Sequence, residues 1–390
     1  MNFPPLKIAF ITSKFGHQYG GAEAYGVELM RELAKRHDIT VIGYTYDSDS
    51  GLNLPFIPIP LAERWPSWLR SYFFAKEAER ILQTGEYDLV HSHMNGWSGD
   101  LDILHVKSVR YRWLHPANPW WQKLNARLSP RIQMYLWLEK QRVHLKPPRR
   151  TAVVSESLKQ QLQQAYDTKY PFDVLTPGVH LPVPDTAVRL KSRQDLGFSD
   201  NDIVAILVAR NPLSKGLNTI LDALATLYSG VFNLKLLVVG APATLESQLH
   251  SQLQQNGLIN KVLFIGQTAA ISSYYQAADI ALHPTFNDSF GMAPLEAMAY
   301  GLPVIMSDAK WCGFAQYATH KKNAYLLNDP RDAAELSRAI NEVITNTELR
   351  LQLKQQGYEL ATAFSWENIA KQVESIYVDI IATRLHRGRK

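Results

Sequence analysis

Two carboxylates and a glycine stand close together in the segment HPTFNDSFGMAPLEAMAYGLPVIMS, residues 283–307. Asp288 and Glu296 flank Gly291, where the pattern predicts that a strand and loop give way to a helix. The free N–H groups and the positive end of such a helix would bind an anion. Asp288, before the helix, is suited to the hydroxyls of a sugar, and Glu296, expected in the first turn, to a ribose diol. Alternatively, Glu296 only complements the helix dipole and Gly291 only permits a turn.

A second segment, ARNPLSKGLNTILDAL, predicts a strand followed by Arg210, Lys215 and Gly216 and then a helix. Two fixed cations at the end of a strand are suited to neutralise a diphosphate. The alternative is that both are surface cations on a loop.

A third segment, FGHQYGGAEAY, places Gly20 and Gly21 between the first strand and the first helix. Glycine there lets the backbone approach a ligand closely. Glycine pairs also serve as ordinary turns, so this segment is weak on its own.

The histidines divide into two groups. His91 and His93 in VHSHMNG alternate as strand residues do, and we interpret them as structural because no third metal ligand is visible. His105 differs from them, because it ends the short apolar run LDILH. Neither a metal site nor a cofactor is predicted.

The elements that must position these residues alternate between apolar strands and amphipathic helices along most of the chain. The 390 residues, 46% apolar and 20% charged, are sufficient for two filled cores and argue against long disordered or fibrous segments. Continuous apolar strands such as KIAFIT and DIVAILVAR predict parallel sheets covered by helices on both faces. The sequence therefore predicts two doubly wound α/β domains, with a proline-rich linker at residues 177–184.

The single cysteine, Cys312, forms no intramolecular disulfide, and no Cys/His spacing matches a zinc site. Both observations favour a reducing compartment, and we expect the cytoplasm. The first apolar run is too short for a signal peptide or a spanning helix.

Positive charge is concentrated in one stretch, although the net charge is only +5. Between His105 and Arg150 there are eleven Lys/Arg residues against one acid, Glu139, interspersed with tryptophans and tyrosines. Cations beside aromatic rings favour an anionic membrane interface. The alternatives are a solvated helix with a half-buried aromatic stripe, or a nucleic-acid surface, for which no recognisable motif is present.

The first three segments together resemble the retaining GT-B glycosyltransferases of the large group 1 family. The family usually has Glu where this chain has Asp288. The resemblance implies that Asp288 contacts the donor sugar, that Glu296 contacts the nucleotide ribose, and that the backbone of Phe290, Gly291 and Met292 meets the diphosphate.

The same resemblance assigns the other segments. Arg210 and Lys215 would stabilise the leaving diphosphate without a metal, the backbone of Gly20 and Gly21 would face diphosphate and acceptor, and His105 would contact the donor sugar. No cofactor is implied beyond the nucleotide sugar itself.

The implied architecture is GT-B, with two Rossmann-like domains facing a central cleft. It comprises an acceptor-binding domain at residues 1–178, a nucleotide-sugar-binding domain at 179–365, and a helix at 366–390 that packs back on the first domain. A finer similarity, carried by GLPVIMSDAKWCGFAQYA and the basic stretch, points to the lipopolysaccharide core glucosyltransferase I group.

The implied function is transfer of a hexose, from a UDP-sugar in preference to others, to lipopolysaccharide, another envelope glycan or a lipid-linked saccharide. The enzyme would be peripheral on the cytoplasmic face of the inner membrane, at an anionic lipid surface and without nucleic acid. The alternatives are a nucleotide-sugar epimerase on the same scaffold and a non-catalytic nucleotide-sugar-binding subunit.

Overall fold

The computed structural model describes residues 4–61, 64–143, 146–227, 233–268 and 270–387. The chain forms two compact units. Unit 1 consists of the residues up to Gly178 together with those from Trp366 onward, and unit 2 is the continuous stretch Val179–Ser365.

Unit 1 is built on a parallel sheet with the strand order β5-β3-β1-β6-β7-β8-β9, and β2 and β4 pair separately. The buried positions of these strands are apolar, as in β1, where Ile8, Ala9 and Phe10 are inaccessible to solvent. Its elements before the linker are β1 (Lys7–Ile11), β2 (Lys14–Phe15), α1 (Gly21–Leu33), β3 (Asp38–Gly43), β4 (Thr45–Tyr46), β5 (Phe56–Pro58), α2 (Ser67–Thr84), β6 (Leu89–Ser92), β7 (Leu101–Leu104), α3 (Val109–Leu114), α4 (Trp120–Leu128), α5 (Pro130–Val143), β8 (Arg150–Val153), α6 (Glu156–Tyr166) and β9 (Asp173–Val174).

Unit 2 repeats the alternation around a second parallel sheet, with the order β12-β11-β10-β13-β14-β15. Its elements are α7 (Thr186–Asp195), β10 (Ile203–Val208), α8 (Leu217–Leu227), β11 (Leu234–Val239), α9 (Leu245–Gln255), β12 (Val262–Ile265), α10 (Ile271–Ala277), β13 (Ile280–His283), α11 (Met292–Ala299), β14 (Val304–Ser307), β15 (Tyr325–Leu327), α12 (Ala333–Thr345) and α13 (Thr347–Ala363).

Each sheet has one place where the strand order reverses. In unit 2 the chain runs outward from β10 to β12, and then returns to place β13 on the other side of β10. The equivalent neighbours in unit 1 are β1 and β6. Ligands of doubly wound sheets bind beyond the carboxyl ends of the strands at such a point, because the connecting loops diverge there. The prediction of two doubly wound α/β domains is confirmed.

The helix α14 (Trp366–Arg387) belongs to unit 1 although it follows unit 2 in the chain. It buries an apolar face that includes Ile369 and Val373 in the core formed by β1, α1 and β6. Tyr377 on this helix lies 2.5 Å from Nδ1 of the buried His91, and the indole ring of Trp366 packs 5.1 Å from the ring of Tyr25. The interpretation of His91 as a structural histidine agrees with this contact.

The basic stretch is more divided than the sequence suggests. The pattern predicts one helical segment from about Leu124 to His144, and over this span the structure has two helices, α4 and α5. Pro119 precedes α4 and Pro130 is the first residue of α5, because proline lacks the N–H that a continuous helix would need. His144 lies outside the described residues. Within the described ranges, no helix is both long enough and apolar enough to span a bilayer.

We expect Ile369→Ala, which truncates a side chain only 1% exposed, to destabilise unit 1 by about 2–5 kcal/mol, because it leaves a cavity beneath α14. Hydrogen–deuterium exchange should become faster in β1 and β6 and stay unchanged in β10 and β13. Leu385→Ala, on the same helix but 64% exposed, is the control and should leave all four strands unchanged. Equal effects of the two variants would show that α14 does not stabilise the unit 1 sheet through this face.

Candidate functional site

An ion pair joins the loops that follow the neighbouring strands β10 and β13 in unit 2. Lys215 Nζ donates to Asp288 Oδ2 at 2.6 Å and to the carbonyl oxygen of Asn287 at 3.0 Å. His283, the last residue of β13, places Nε2 3.1 Å from the same carboxylate oxygen. The candidate catalytic residues Lys215 and Asp288, 73 positions apart in the chain, are therefore in direct contact.

Gly216 makes this contact possible. Its φ of +84° lies in the left-handed region, and a Cβ atom on it would lie 2.1 Å from the carbonyl oxygen of Pro284. Only glycine allows the backbone after β10 to pass so close to the backbone after β13. The close passage delivers the preceding residue, Lys215, to the carboxylate.

The loop carrying Asp288 is held on its other side by the segment 311–314. The amide of Asp288 donates to the carbonyl of Trp311 at 2.8 Å, and the amide of Gly313 donates to the carbonyl of Asp288 at 3.0 Å. A Cβ on Gly313 would lie 2.3 Å from the carbonyl oxygen of Ser289, so this approach also needs glycine. Cys312 is fully buried behind the loop. Backbone contacts on both sides thus fix the position of the Asp288 carboxylate.

The surroundings determine the charge of each group. Burial alone would raise the pKa of Asp288, but the hydrogen bonds from His283 and Lys215 and the positive charge of Lys215 outweigh it and hold this pKa at about 2. Burial lowers the pKa of His283, and Asp288 opposes only part of that shift. A neutral His283 must donate from Nε2, because an ionised carboxylate only accepts. Its Nδ1 is then an acceptor, and it is buried with no hydrogen bond to any described residue.

Helix α11 begins at Met292, after Gly291 with a φ of +103°. A Cβ on Gly291 would lie 2.6 Å from Cys312 Sγ, so glycine is required here as well. Among the described residues, nothing accepts a hydrogen bond from the amides of Gly291, Met292 and Ala293. The Phe290 ring packs in the core against Phe314, so Phe290 can offer only its backbone to a ligand. The free amides at the start of a helix can bind an anion.

The expectation that Glu296 lies in the first turn of the helix is wrong. Because α11 starts at Met292, Glu296 is its fifth residue, one turn further along. One of its carboxylate oxygens accepts a hydrogen bond from the buried Tyr275 hydroxyl at 2.8 Å, and the other has no partner among the described residues. Burial raises the pKa of Glu296, and the hydrogen bond from Tyr275 opposes part of this rise. The free oxygen can still accept from a hydroxyl of a ligand.

Arg210 lies two residues beyond the end of β10, and its side chain is exposed. It makes no ion pair or hydrogen bond with the described part of the chain. The two predicted cations therefore differ, because Lys215 is already paired with an acid and Arg210 is not.

The remaining predicted site residues belong to unit 1. Gly20, with a φ of +153°, precedes α1, and Gly21 begins it, with nothing within 4 Å of the position a Cβ would take. His105 follows β7, and its ring packs 4.5 Å from His93 and 4.9 Å from Tyr25. Burial lowers the pKa of His105 to about 3, so it is neutral, and its Nε2 is buried without a partner in the described residues.

Sequence reasoning assigned no role to two residues that the structure places in the site, His283 and Tyr275. The available signal for His283 was its position, at the end of an apolar strand and five residues before Asp288. Tyr275 offered no local signal, since it lies 21 residues before the carboxylate it contacts. Within the residues that the structure covers, no three His, Cys, Asp or Glu side chains form a group that could hold a metal ion.

The chain has two Rossmann-like domains of parallel strands, which is the GT-B class of architecture. In one of them, cations, acids and free helix amides surround the point where the strand order reverses. Solved structures of glycosyltransferases match this fold. WaaG, a glycosyltransferase involved in lipopolysaccharide biosynthesis, matches with a TM-score of 0.68 and 20% identity over 95% of this chain and 99% of its own. Anabaena HepE, solved with UDP and glucose, matches with a TM-score of 0.67 and 20% identity over 95% and 98%.

The family is given by two sequence models. The model described as "Glycosyl transferases group 1" matches residues 188–360, and the model described as "Glycosyltransferase Family 4" matches residues 19–182. The chain belongs to the group 1 glycosyltransferases. A D-inositol 3-phosphate glycosyltransferase from Geodermatophilus obscurus is 27% identical over 92% of this chain and 84% of its own length.

We expect Gly216→Ala to separate the two loops that carry Lys215 and Asp288. Gly197→Ala is the matched control, because Gly197 also has a left-handed φ, of +71°, but nothing lies within 4 Å of its Cβ position. Both variants should lose about 1–2 kcal/mol through backbone strain. Gly216→Ala should lose about a further 1–3 kcal/mol, because its methyl group meets the Pro284 carbonyl. Urea unfolding measures the free energy of unfolding of both variants. Equal losses of stability would contradict the argument that the two backbones approach too closely for a side chain at residue 216.

We expect Glu296→Gln to stabilise the protein without ligand. An acid whose folded pKa is raised costs stability as the pH rises from its unfolded value, about 4.3, through its folded value. The amide variant does not titrate, so its melting temperature should equal that of the wild type below pH 4 and exceed it at pH 7.

The control is Glu359→Gln, an exposed acid of α13, which should change the melting temperature little at either pH. A Glu296→Gln protein that melts below the wild type at pH 7 would contradict the assignment of Glu296 as a strained buried acid.

Proposed function

We propose that this protein is a retaining, metal-independent glycosyltransferase. It moves a hexose from a nucleotide diphosphate sugar, UDP-linked in preference to others, to a hydroxyl of lipopolysaccharide, another envelope glycan or a lipid-linked saccharide. The observation that carries the proposal is the contact of Lys215, Asp288 and His283 where the strand order of unit 2 reverses. The transfer of the hexose would take place at the cytoplasmic face of the inner membrane.

The similar proteins support different parts of this proposal. The Anabaena structure was solved with UDP and glucose, which supports a uridine donor and a hexose. WaaG is described as acting in lipopolysaccharide biosynthesis, which supports an envelope glycan as acceptor. The Geodermatophilus relative is named for a phosphorylated inositol, so related enzymes use chemically different acceptors.

Charge compensation is the step that the site serves most directly. Departure of a nucleoside diphosphate leaves negative charge on its phosphate oxygens. A lysine ammonium has three N–H donors, and Lys215 uses two of them, on Asp288 and Asn287. Its third donor, the Arg210 guanidinium and the free amides at Gly291 and Met292 are available for phosphate oxygens. These fixed positive groups take the role that a divalent cation plays elsewhere.

Recognition of the rest of the donor follows from the acceptors in the site. The free oxygen of Glu296 would accept from the ribose hydroxyls while Tyr275 holds the other oxygen. Asp288, kept ionised by Lys215 and His283, would accept from hydroxyls of the sugar, with His105 as a second contact. The backbone at Gly20 and Gly21 would approach diphosphate and acceptor. No side chain is assigned as a nucleophile.

The proposal is tested by two measurements on the full-length enzyme. A thermal-shift screen with UDP, GDP and ADP and their sugars should give one responsive series, since a ligand at 100 times its dissociation constant adds about 2.7 kcal/mol. With membrane extract as acceptor, NMR of the product should show the anomeric configuration of the donor, and excess EDTA should leave the rate unchanged.

Three results would each remove part of the proposal. An inverted product removes retention, and loss of the rate in EDTA removes metal independence. Conversion of the donor without acceptor would indicate an epimerase, and binding without any turnover would indicate a non-catalytic subunit.

We expect Lys215→Ala to lower turnover by roughly 10²–10³-fold, because it removes a fixed charge from the departing diphosphate. Lys322→Ala, an exposed cation of the same unit, is the control and should retain full turnover. The double variant Lys215→Ala/Asp288→Asn separates two causes. If Lys215 only neutralises Asp288, the double variant should recover the activity lost in the single variant, and such recovery would overturn the diphosphate role.

A further inference from the structure

The outer surface of helices α3 to α5 carries positive charge only. The sole acid between Lys107 and Val143, Glu139, is buried and accepts hydrogen bonds from Ser108 Oγ at 3.0 Å and Tyr166 Oη at 2.8 Å, and from the amides at the start of α3. The negative charge of Glu139 is therefore stabilised by hydrogen bonds inside unit 1 and is not presented at the surface. The exposed charged residues over the same span are all cations, namely Lys107, Arg110, Arg112, Arg127, Arg131 and Lys140.

Helix α4 presents its apolar side outward. Trp120 is 75% exposed and Leu128 73%, with Trp121 at 60% and Leu124 at 45%. At about 100° per residue these four side chains occupy an arc of about 100° on the helix. Ala126, which is fully buried, lies about 180° from the centre of that arc and faces the protein. We call the four exposed side chains the outer face of α4.

This orientation is the reverse of that in an ordinary surface helix, which turns its apolar stripe toward the core. The interpretation as a solvated helix with a half-buried aromatic stripe does not account for it, because Trp120 and Leu128 are about three-quarters exposed and even Leu124 is 45% exposed. Lys123 and Arg127 lie at the edge of the same arc, at about 300° and 340° on the helical wheel counted from Trp120. The outer face of α4 therefore combines an exposed apolar stripe with cations along one side.

The chemistry of this face selects among possible occupants. Nucleic acid would use the cations and stack on the tryptophans, but it offers nothing to Leu124 and Leu128. A second copy of the chain would bring the same cations together, and like charges oppose such a contact. A bilayer containing anionic lipid matches both features, since tryptophan and leucine enter the boundary below the head groups and cations pair with the lipid phosphates.

We propose that the outer face of α4 inserts into the interface of an anionic membrane, with Arg127 and Arg131 held against the head groups. The inference deepens the proposed function, because a lipid-linked acceptor requires an enzyme at the membrane surface. It stands on residues of unit 1 that take no part in the donor site of unit 2, so each proposal can fail alone.

The test uses the full-length protein and two kinds of vesicle, pure phosphatidylcholine and phosphatidylcholine with about one-third phosphatidylglycerol. At low salt the wild type should sediment with the anionic vesicles only, shift its tryptophan emission to shorter wavelength, and be released by high salt. Arg127→Gln/Arg131→Gln should weaken binding about 25-fold, at about fivefold per cation. Leu124→Gln/Leu128→Gln should weaken it at least about tenfold, although the charge is unchanged.

Matched control variants come from exposed residues of unit 2. Leu190→Gln/Leu351→Gln removes two leucines that are 53% and 59% exposed, and Lys191→Gln/Lys322→Gln removes two exposed cations. Neither pair should change vesicle binding. Because the substituted side chains of α4 are exposed, all the variants should keep the wild-type melting temperature, which checks their folding.

Several results would overturn the proposal. These are equal binding to neutral vesicles, binding unaffected by the leucine substitutions, or capture by single-stranded nucleic acid in preference to anionic vesicles. Concentration-dependent dimers that the Trp120→Gln/Trp121→Gln variant abolishes would assign the outer face to a second copy of the chain. If the protein fails to bind vesicles but still shows a thermal shift with nucleotide, only the membrane-docking proposal is overturned. If it binds vesicles but shows no thermal shift with any nucleotide, only the donor assignment is overturned.

Discussion

The passage of Gly216 against the Pro284 carbonyl is the constraint on which the unit 2 site depends. Parallel strands bring loops from distant parts of the chain to one edge of a sheet, but they do not by themselves make those loops touch. Here two backbones meet at a distance that admits no side chain, and the lysine beside the contact is carried onto an acid 73 residues away. The segment around Gly313 closes in from the other side in the same way. The side chains of the candidate site are therefore positioned by backbone packing and need little freedom of their own.

Such packing also determines how charge is distributed in the site. Asp288 is ionised but already compensated by Lys215 and by a hydrogen bond from neutral His283, so it can accept from hydroxyl groups without repelling a phosphate strongly. Glu296 is less well compensated, since only the Tyr275 hydroxyl reaches it and burial disfavours its ionised form. Arg210 carries a positive charge with no acid beside it in the described residues. The site thus has a surplus of donors that no described residue satisfies, and a multiply charged anion would satisfy them.

Local pattern was enough to predict most of the strands and the class of fold. Apolar runs marked the strands, and Ser155, a typical N-cap residue by type, does cap α6, because caps and strands depend on neighbours within a few residues. The residue types of the site were also visible, since Asp288, Lys215 and Gly291 lie at predicted strand and helix ends. Their partners were not visible. The lysine-to-aspartate contact and the hydrogen bond from Tyr275 join residues far apart in sequence, and only the folded backbone brings them together. The helix α11 begins directly after Gly291, where the pattern predicted it, but Glu296 was wrongly placed in its first turn because it is the fifth residue of the helix.

Unit 1 is discontinuous in the chain, and this has a consequence for biosynthesis. Unit 2 is one unbroken segment, so all of its strands and helices have been synthesised before α14 is made. The core of unit 1, by contrast, lacks the Trp366 ring and the apolar face of α14 until the ribosome has passed beyond unit 2. During that interval the helix-binding groove beside β1 and α1 is apolar and uncovered. Unit 1, which begins before unit 2, is thus completed after it, and transiently exposed apolar surface of this kind favours aggregation of a nascent chain.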